Sequence, residues 1–251
     1  MSLSKKPPLT HFLSIPLVTP TSRPRLSLAL SSLRTDLCTP NVLGGPPLLP
    51  PDAIRPVGSL HLTLGVMSLQ QQDSLDRAVD LLQTLRAREI LAGAMTSATA
   101  SAPDESSSLL LSLRGLRPMG NPAKASILYA SPLDAAGTLQ RFSEAVRALF
   151  LAEGLVVDEA RPLLLHATLV RTGQVKDGAA RGRGGGAGGK RGRRGHKLEI
   201  DATDLVARYE DRVWIDGVAL DRLAICRMGA KPVIVNGEPD AEYTVEAELA
   251  F

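Results

Sequence analysis

The sequence predicts an α+β fold built from two similar lobes, and two observations support this prediction. A short motif, His-x-Thr within an apolar run, occurs twice, beginning at His61 and at His166. Each copy has candidate strands and a candidate helix nearby, and their order along the chain is not a clean alternation of strand and helix. This order disfavours a doubly wound parallel sheet. At 251 residues, the chain can form one large domain or two tightly joined lobes.

Composition and charge narrow the classes of function. Hydrophobic residues make up 44% of the chain but aromatic residues only 3%, so aliphatic side chains must build the core. The shortage of aromatic side chains weighs against a dedicated single-strand binder that stacks bases. Cys38 and Cys226 form no metal-binding or disulfide pattern, and we expect a reducing compartment. Residues 181–197 carry seven basic residues and no acidic one, so the rest of the chain has a negative net charge.

The N-terminal part of the chain predicts a strand, a helix and a second strand. Residues 10–18 are mostly apolar and end in Pro-rich turn chemistry, which indicates a strand. Residues 24–37 favour a helix, and the Pro- and Gly-rich residues 39–56 predict a loop before the strand that carries His61. Because no acidic residue precedes Asp36, a cleaved targeting segment is an alternative interpretation of the N-terminus.

One amphipathic helix is expected after the first motif, with Ser74 as its N-cap. Its apolar face is formed by Leu75, Val79, Leu82, Leu85 and Leu91. The Ser/Ala/Thr stretch that follows, at about residues 96–107, is expected to be flexible.

The second half of the chain predicts a similar set of elements around the second motif. Strands are expected over residues 108–116 and 123–130, joined by a turn over 117–122. Asp134 is expected to open a helix, and the strand with His166 follows it. One side of that helix is formed by Leu139, Phe142, Val146, Leu149 and Phe150. The last expected elements are a helix over 204–209 and strands over 212–215, 220–228 and 243–251.

The two motifs can supply the chemistry that acts on a phosphodiester. Successive side chains on a strand alternate between its faces, so His61 shares a face with Thr63, and His166 shares a face with Thr168. One imidazole can take a proton from the attacking hydroxyl while the other gives one to the leaving oxygen. The threonine hydroxyls can donate hydrogen bonds to the non-bridging oxygens. A single histidine on an apolar strand is usually a core residue, but two copies in matching contexts favour a shared catalytic site.

The chain resembles the 2H phosphoesterase superfamily, which is named for two His-x-Thr/Ser motifs. Within it, the likeness is to the branch of the kinase-A anchoring protein nuclear-localisation domain and the activating signal cointegrator subunit 1 phosphoesterase domain. It covers residues 8–251 apart from the Gly/Arg-rich insert. The segments that carry the resemblance are residues 10–17 (THFLSIPL), 60–67 (LHLTLGVM), 165–169 (LHATL) and 240–243 (DAEY).

This resemblance implies a 2′-5′ RNA ligase-like fold, with two pseudo-symmetric lobes whose antiparallel sheets line a central cleft. It implies a phosphodiesterase that needs no metal or other cofactor and acts on RNA ends, 2′,3′-cyclic phosphates or 2′-5′ linked nucleotides. His61 and His166 become the acid/base pair, and Thr63 and Thr168 the phosphate donors. Which histidine is the base stays open. We expect a monomer that is nuclear and/or cytoplasmic, with no membrane association.

Arg171 and Tyr243 are candidate substrate-binding residues with a simpler alternative each. In the bacterial RNA-ligase-like branch an arginine just after the second motif contacts phosphate, whereas the anchoring-protein branch more often has an amide there. Arg171 can equally be a solvated strand end. Tyr243 can stack on a base, but a half-buried core tyrosine is the simpler interpretation. We expect His11 to be structural and His196 to be solvated.

Residues 173–197 are predicted to be a disordered, basic insert within the single domain. Within it, Gly184 to Lys190 match the G-x-x-x-x-G-K pattern, but Arg191 replaces the Ser/Thr that would hold Mg²⁺, so a P-loop is not expected. Arg191, Arg193 and Arg194 are candidates for binding phosphate backbones in a salt-sensitive manner. A nuclear import signal and a solvated surface loop are the alternatives.

Other classes of function fit the sequence less well. A Ser-His-Asp hydrolase would need a G-x-S-x-G elbow, which the sequence lacks, and no His/Cys cluster has zinc-ligand spacing. No apolar run approaches the roughly 18 residues that a membrane span requires. The remaining alternative is a non-catalytic RNA-binding adaptor of a nuclear transcription or repair complex, which would use the same cleft and the basic insert.

Overall fold

A computed structural model describes residues 7–40, 45–96, 109–174 and 198–251. The strands are β1 (His11–Pro16), β2 (His61–Met67), β3 (Leu109–Pro118), β4 (Ile127–Leu133), β5 (Ala167–Arg171), β6 (Val213–Leu220), β7 (Arg222–Arg227), β8 (Lys231–Val235), β9 (Glu238–Glu242) and β10 (Val245–Ala250). The helices are α1 (Ser22–Cys38), α2 (Gln72–Thr84), α3 (Ala87–Thr96), α4 (Thr138–Ala152) and α5 (Thr203–Arg208). None of the helices in the described ranges combines the length and apolar character that a membrane span requires.

The strands form two four-stranded sheets and a separate hairpin. The first sheet has the order β10-β7-β1-β2 and the second has the order β6-β3-β4-β5. All neighbouring strands in both sheets are antiparallel. The predicted α+β class with antiparallel sheets is therefore confirmed, and each His-x-Thr motif lies on or beside the edge strand of its own sheet.

A repeated unit gives the two lobes their pseudo-symmetry. In each lobe a strand and a helix precede an antiparallel neighbour of that strand, first as β1-α1-β2 and then as β4-α4-β5. The second strand of each unit carries or adjoins the His-x-Thr motif. The sequence predicted two similar lobes from these same neighbourhoods, and the structure confirms the prediction.

The segment between helix and edge strand in each lobe covers the edge strand of the other lobe. In the first lobe, Ile54 bridges to Val170, and the backbone N–H of Arg55 donates to the carbonyl of Leu169 in β5 at 2.8 Å. In the second lobe, Val156 bridges to Met67 in β2. This reciprocal exchange connects the two lobes and covers part of the edge of each motif strand.

The first helix boundary after β2 differs from the prediction. The backbone N–H groups of Ser74 and Leu75 both donate to the carbonyl of Gln71, so α2 begins at Gln72 and Ser74 lies inside its first turn. The prediction of Ser74 as the N-cap was therefore wrong. The single predicted helix is also divided, because Leu85 has an extended backbone with ψ of 127°, which allows α3 to pack against α4.

The second predicted helix is found with a later start. α4 begins at Thr138, but the carboxylate of Asp134 still accepts a hydrogen bond from the backbone N–H of Gln140 at 2.8 Å. The prediction that Leu149 lies on the same side as the other four residues was wrong, because Leu149 is 42% exposed. The other predicted members of that face are buried.

The hairpin of β8 and β9 was not predicted. Its turn is Asn236-Gly237, and both residues have positive φ values, of 52° and 82°. Asn-Gly between two strands is a strong signal for a two-residue hairpin turn, so the sequence contained the information.

The residues on either side of the predicted insert lie close together in the second lobe. The hydroxyl of Thr172 donates to the carbonyl of Leu198, and Ile200 pairs with Ala125. The turn Thr172–Gln174 belongs to the described structure, whereas residues 175–197, including Arg191, Arg193, Arg194 and His196, lie outside it. The predicted flexible stretch over 96–107 lies outside it from residue 97 onward.

Candidate active site

Both predicted catalytic histidines are oriented by the same local contact. The Nδ1 atom of His61 lies 2.8 Å from the carbonyl oxygen of Ser59, and Nδ1 of His166 lies 2.9 Å from that of Leu164. A carbonyl oxygen can only accept, so Nδ1 carries the hydrogen in each ring. The Nε2 atom is therefore the nitrogen that can exchange a proton with a substrate. It carries a lone pair in the neutral ring and a proton in the charged one.

Strand alternation places each threonine beside its histidine. His61 begins β2 and His166 directly precedes β5. Both histidines and the threonines two positions later are half-buried, whereas Leu62 and Ala167 between them are completely buried. The intervening residue thus anchors each motif in the core while His and Thr share the opposite face.

A β-bulge follows the threonine in both motifs. On β2 the register against β1 shifts so that Leu64 is the extra residue after Thr63. On β5 the register against β4 shifts in the same way, with Leu169 as the extra residue after Thr168. Bulges bend a strand and are common beside active sites, where they redirect side chains. The pseudo-symmetry of the lobes therefore extends to single residues of the motifs.

The cleft has two compartments next to the histidines. The His61 compartment has a volume of about 260 Å³ and is lined by residues that include Phe12, Ser14, Ser59, His61, Cys226 and Tyr243. The His166 compartment has a volume of about 220 Å³ and is lined by residues that include Thr63, Val66, Arg147, Glu159, Arg161 and His166. Thr63 and His166 thus meet in one cavity although they belong to different lobes. A larger cavity, of about 420 Å³, is lined in part by His11. His11 begins β1, whereas Pro16 at the other end of β1 pairs with His61.

The environment of His61 favours its neutral form. The pKa of His61 is lowered from 6.5 to about 4, mainly by burial and to a smaller extent by the charges of Arg55 and His166, while the hydrogen bond to Ser59 opposes the shift. The influence of His166 on this pKa also shows that the two rings are close enough to interact electrostatically. At neutral pH, Nε2 of His61 therefore carries a lone pair that can accept a proton.

Aromatic rings contact both histidines. The ring of His61 stacks on Phe12 with centroids 4.6 Å apart and meets the edge of Tyr243 at 5.3 Å. The ring of His166 meets Tyr129 at 5.2 Å. Tyr243 was a predicted site residue, and the structure places it half-buried and in contact with His61. Phe12 and Tyr129 were not predicted, although the scarcity of aromatic residues in this chain could have drawn attention to them.

Two arginines near the motifs occupy different environments. Arg171 was a predicted site residue, whereas Arg55 was not identified from the sequence. Arg171 is exposed at the end of β5 and lines neither compartment. Arg55 is half-buried, and its guanidinium donates to the hydroxyl of Tyr243 at 2.9 Å. Its charge also reaches His61, as the lowered pKa shows. Arg55 precedes the first motif by six residues in a Pro-rich loop, so only the tertiary fold reveals its position.

His11 lies outside the cleft. It is 3% exposed, its Nδ1 atom is 2.8 Å from the hydroxyl of Thr10, and its Nε2 atom is 3.6 Å from a carboxylate oxygen of Glu246. Within the described ranges, no group of three or more His, Cys, Asp or Glu side chains is arranged to hold a metal ion.

Comparison with known proteins finds a family, one similar curated protein and several solved structures of low sequence identity. A curated but uncharacterized protein of Schizosaccharomyces pombe is 25% identical over 188 residues, which is 74% of each chain. Escherichia coli LigT complexed with 3′-AMP is 15% identical with a TM-score of 0.48, covering 97% of this chain and 98% of that one. The protein TT0787 of Thermus thermophilus is 16% identical with a TM-score of 0.45, covering 96% and 97%.

The family assignment rests on a match to nearly the whole chain. Residues 9–251 match the model of a family described as the AKAP7 2′5′ RNA ligase-like domain. This range includes both sheets, both His-x-Thr motifs and the two compartments between them. The chain, with its duplicated strand-helix-strand unit, therefore belongs to the AKAP7 2′5′ RNA ligase-like domain family.

Proposed function

We propose that this protein is a metal-independent phosphodiesterase that acts on RNA ends, 2′,3′-cyclic phosphates or 2′-5′ linked nucleotides through His61 and His166. Membership in the family supports a phosphodiesterase-type activity. The observation that carries the finer proposal is the matched orientation of the two rings, each with Nδ1 on a backbone carbonyl two residues earlier. Two imidazoles that present Nε2 to one cleft can serve as a general base and a general acid.

The lowered pKa of His61 supports its assignment as the base. Its neutral Nε2 accepts the proton of the attacking oxygen, which is a neighbouring ribose hydroxyl or a water molecule. The new bond forms at phosphorus while the bond to the leaving oxygen breaks. His166, in its charged form, gives its Nε2 proton to that leaving oxygen. One proton enters the protein at His61 and one leaves at His166, so the protonation states must be restored before the next turnover.

The other cleft residues stabilise charge and position the substrate. The hydroxyls of Thr63 and Thr168 donate to the non-bridging oxygens as negative charge increases in the transition state. The positive charge of Arg55 acts on the same anion from the side of His61. The half-buried ring of Tyr243 lines the His61 compartment and offers a surface for the base of a nucleotide.

A substrate panel tests the proposal. Turnover of 2′,3′-cyclic nucleotides, a 2′-5′ dinucleotide and 3′-5′ oligoribonucleotides is measured with EDTA present. Wild type is compared with His61→Ala, His166→Ala and the double variant, and His196→Ala serves as a matched control in the insert. We expect at least one linkage to be cleaved by wild type and the control, with loss in all three cleft variants.

Two results would contradict the proposal. Activity that survives in the folded double variant would exclude the two-histidine mechanism. Failure of folded wild type to cleave any member, together with retained RNA binding, would favour the non-catalytic adaptor. Circular dichroism of each variant separates loss of chemistry from loss of fold.

A further inference from the structure

A buried arginine in the cleft lacks a partner in the described parts of the chain. Arg147, on α4, is 8% exposed, and its Nε atom has no hydrogen-bond partner. No ion pair or hydrogen bond joins its guanidinium to another described residue. The neighbouring Arg161, by contrast, is paired with Glu159 at 2.9 Å.

A guanidinium whose Nε–H is buried without a partner is costly to the folded state. Removing a guanidinium from water requires compensation by an anion or by hydrogen bonds, and a protein that provides neither is destabilised. On the buried face of α4, Phe142, Val146 and Phe150 are apolar, and Ser143 is a small polar residue without charge. Arg147 is the charged residue among the buried ones of this helix. The burial of Arg147 and its missing partner are therefore more typical of a side chain that binds an anionic ligand than of one that stabilises the core.

The surroundings of Arg147 favour an anion. It lines the His166 compartment together with Thr63 and His166. The carboxylate that lines this compartment, Glu159, is already paired with Arg161, so the positive charge of Arg147 is not balanced there. A guanidinium can bind a phosphate through two parallel hydrogen bonds, which suits a compartment of this size.

We propose that Arg147 binds a second phosphate of the substrate, a phosphate monoester attached to the nucleotide on the His166 side of the scissile phosphodiester. This inference rests on the proposed function, because the scissile group is placed between the two histidines. Arg147 lines the His166 compartment and not the His61 compartment, so an anion on its guanidinium lies to one side of the reacting phosphorus. The preferred substrates therefore carry a terminal phosphate.

Binding of two nucleotides tests this proposal without requiring turnover. Adenosine 2′-monophosphate and adenosine 2′,5′-bisphosphate differ by one phosphate monoester. Both represent the case in which water attacks the phosphorus and the ribose 2′ oxygen leaves on the His166 side. Their dissociation constants are measured by calorimetry. We expect wild type to bind the bisphosphate roughly 10- to 100-fold more tightly, as charge-assisted hydrogen bonds predict. Arg147→Met should bind both nucleotides equally, and Arg147→Lys should retain part of the preference. Arg86→Gln, at an exposed position between α2 and α3, is the matched control.

A stability measurement distinguishes this role from a structural one. Met keeps the apolar stem of the side chain and removes the unpaired charge, so the Tm of Arg147→Met without ligand should equal or exceed that of wild type. Wild type should gain Tm with the bisphosphate, and the variant should gain less. A variant whose ligand-free Tm falls by several degrees would show that the guanidinium supports the fold and would overturn the proposal.

The remaining outcomes separate this proposal from the proposed function. An unchanged ratio of the two dissociation constants in Arg147→Met would overturn the second-phosphate site, whether or not the protein is catalytic. A preference that depends on Arg147 in a protein without turnover would uphold the site and count against the catalytic proposal alone. Equal loss of affinity for both nucleotides would place Arg147 on the phosphate that they share and would also overturn the proposal.

Discussion

The hydroxyl of Tyr243 accepts a hydrogen bond from the guanidinium of Arg55 at 2.9 Å, and this contact joins three parts of the active-site region. Tyr243 follows β9, near the end of the chain, and its ring meets the edge of His61. Arg55 belongs to the loop before β2, and its backbone N–H binds Leu169 of the other lobe. One pair of side chains therefore links the last hairpin, the first motif and the second motif strand.

Removing the hydroxyl should weaken catalysis while leaving the ring contacts intact. Tyr243→Phe keeps the packing on His61 but removes the acceptor for Arg55, so the guanidinium is less well positioned toward the phosphate. We expect kcat/KM to fall roughly 2- to 10-fold, which corresponds to one hydrogen bond. Steady-state kinetics on the best substrate of the panel provides the measurement. A value equal to that of wild type would show that the contact does not serve catalysis.

The ionisation of His61 should set the acidic limb of the pH profile. Since the pKa of His61 is lowered to about 4 and the neutral ring is the base, kcat/KM should rise with pH around 4 and not around 6.5. Tyr243→Ala opens the cleft and reduces the burial of the ring, so the limb should move toward 6.5 in that variant. The His61 proton resonance, followed by NMR over the same pH range, checks the assignment. A ring that titrates near 6.5 in wild type would contradict it.

The lowered pKa of His61 also makes the free energy of unfolding depend on pH. Between pH 6.5 and about 4 the unfolded chain binds a proton at His61 that the folded chain does not, so the free energy of unfolding decreases as the pH falls. His61→Gln cannot titrate and should lose less stability over this interval. From pH 7 to pH 5 the difference should be about 1 kcal/mol, because the ring is only half-buried. Urea denaturation of both proteins at the two pH values measures it, and parallel losses would refute the linkage.

The unpredicted hairpin should support the loop that precedes His61. The carboxylate of Asp240, whose side chain is 8% exposed, accepts from Arg23 at 2.6 Å and from the backbone N–H of Gly58 at 2.9 Å. Asp240→Asn removes the charge from both contacts and should cost about 2 kcal/mol of stability, together with a lower kcat/KM. Glu242→Gln is the matched control. Its carboxylate also binds Arg23 but is 44% exposed, and its loss should cost about 0.5 kcal/mol. Chemical denaturation compares the two, and equal effects would contradict the argument.

The sequence predicted those features that depend on local alternation. His61 and Thr63 share a face because a strand imposes a period of two, and the same rule applies to His166 and Thr168. The alternation does not reveal the bulge that follows each threonine, because a register shift depends on the partner strand. The two lobes were predictable because each His-x-Thr motif has strands and a helix next to it in the sequence. The contacts that each lobe makes with the motif strand of the other lobe were not predictable.

The charged residues of the cleft were less predictable. Arg171 attracted attention because it stands close to a motif, yet it is exposed and outside the two compartments. Arg55 and Arg147 lie in a loop and on a helix, and the sequence around them contains no pattern of a site. Their positions follow from how the lobes pack. The Asn236-Gly237 turn, by contrast, was a local signal that could have been used to predict the hairpin.

The close approach of the lobes should make Gly65 intolerant of a side chain. A Cβ atom at this position would lie 2.6 Å from Cγ1 of Val156, in the segment that covers the edge of β2. Valine is rigid at χ1, so the clash cannot be relieved by a rotamer change alone, and Gly65→Ala should cost about 1–3 kcal/mol. Val156→Ala removes the obstructing methyl groups, at the expense of a small cavity. We therefore expect the double variant to be more stable than the sum of the two single effects predicts. Denaturation of the three variants measures this coupling, and strictly additive losses would show that the two residues do not meet across the lobes.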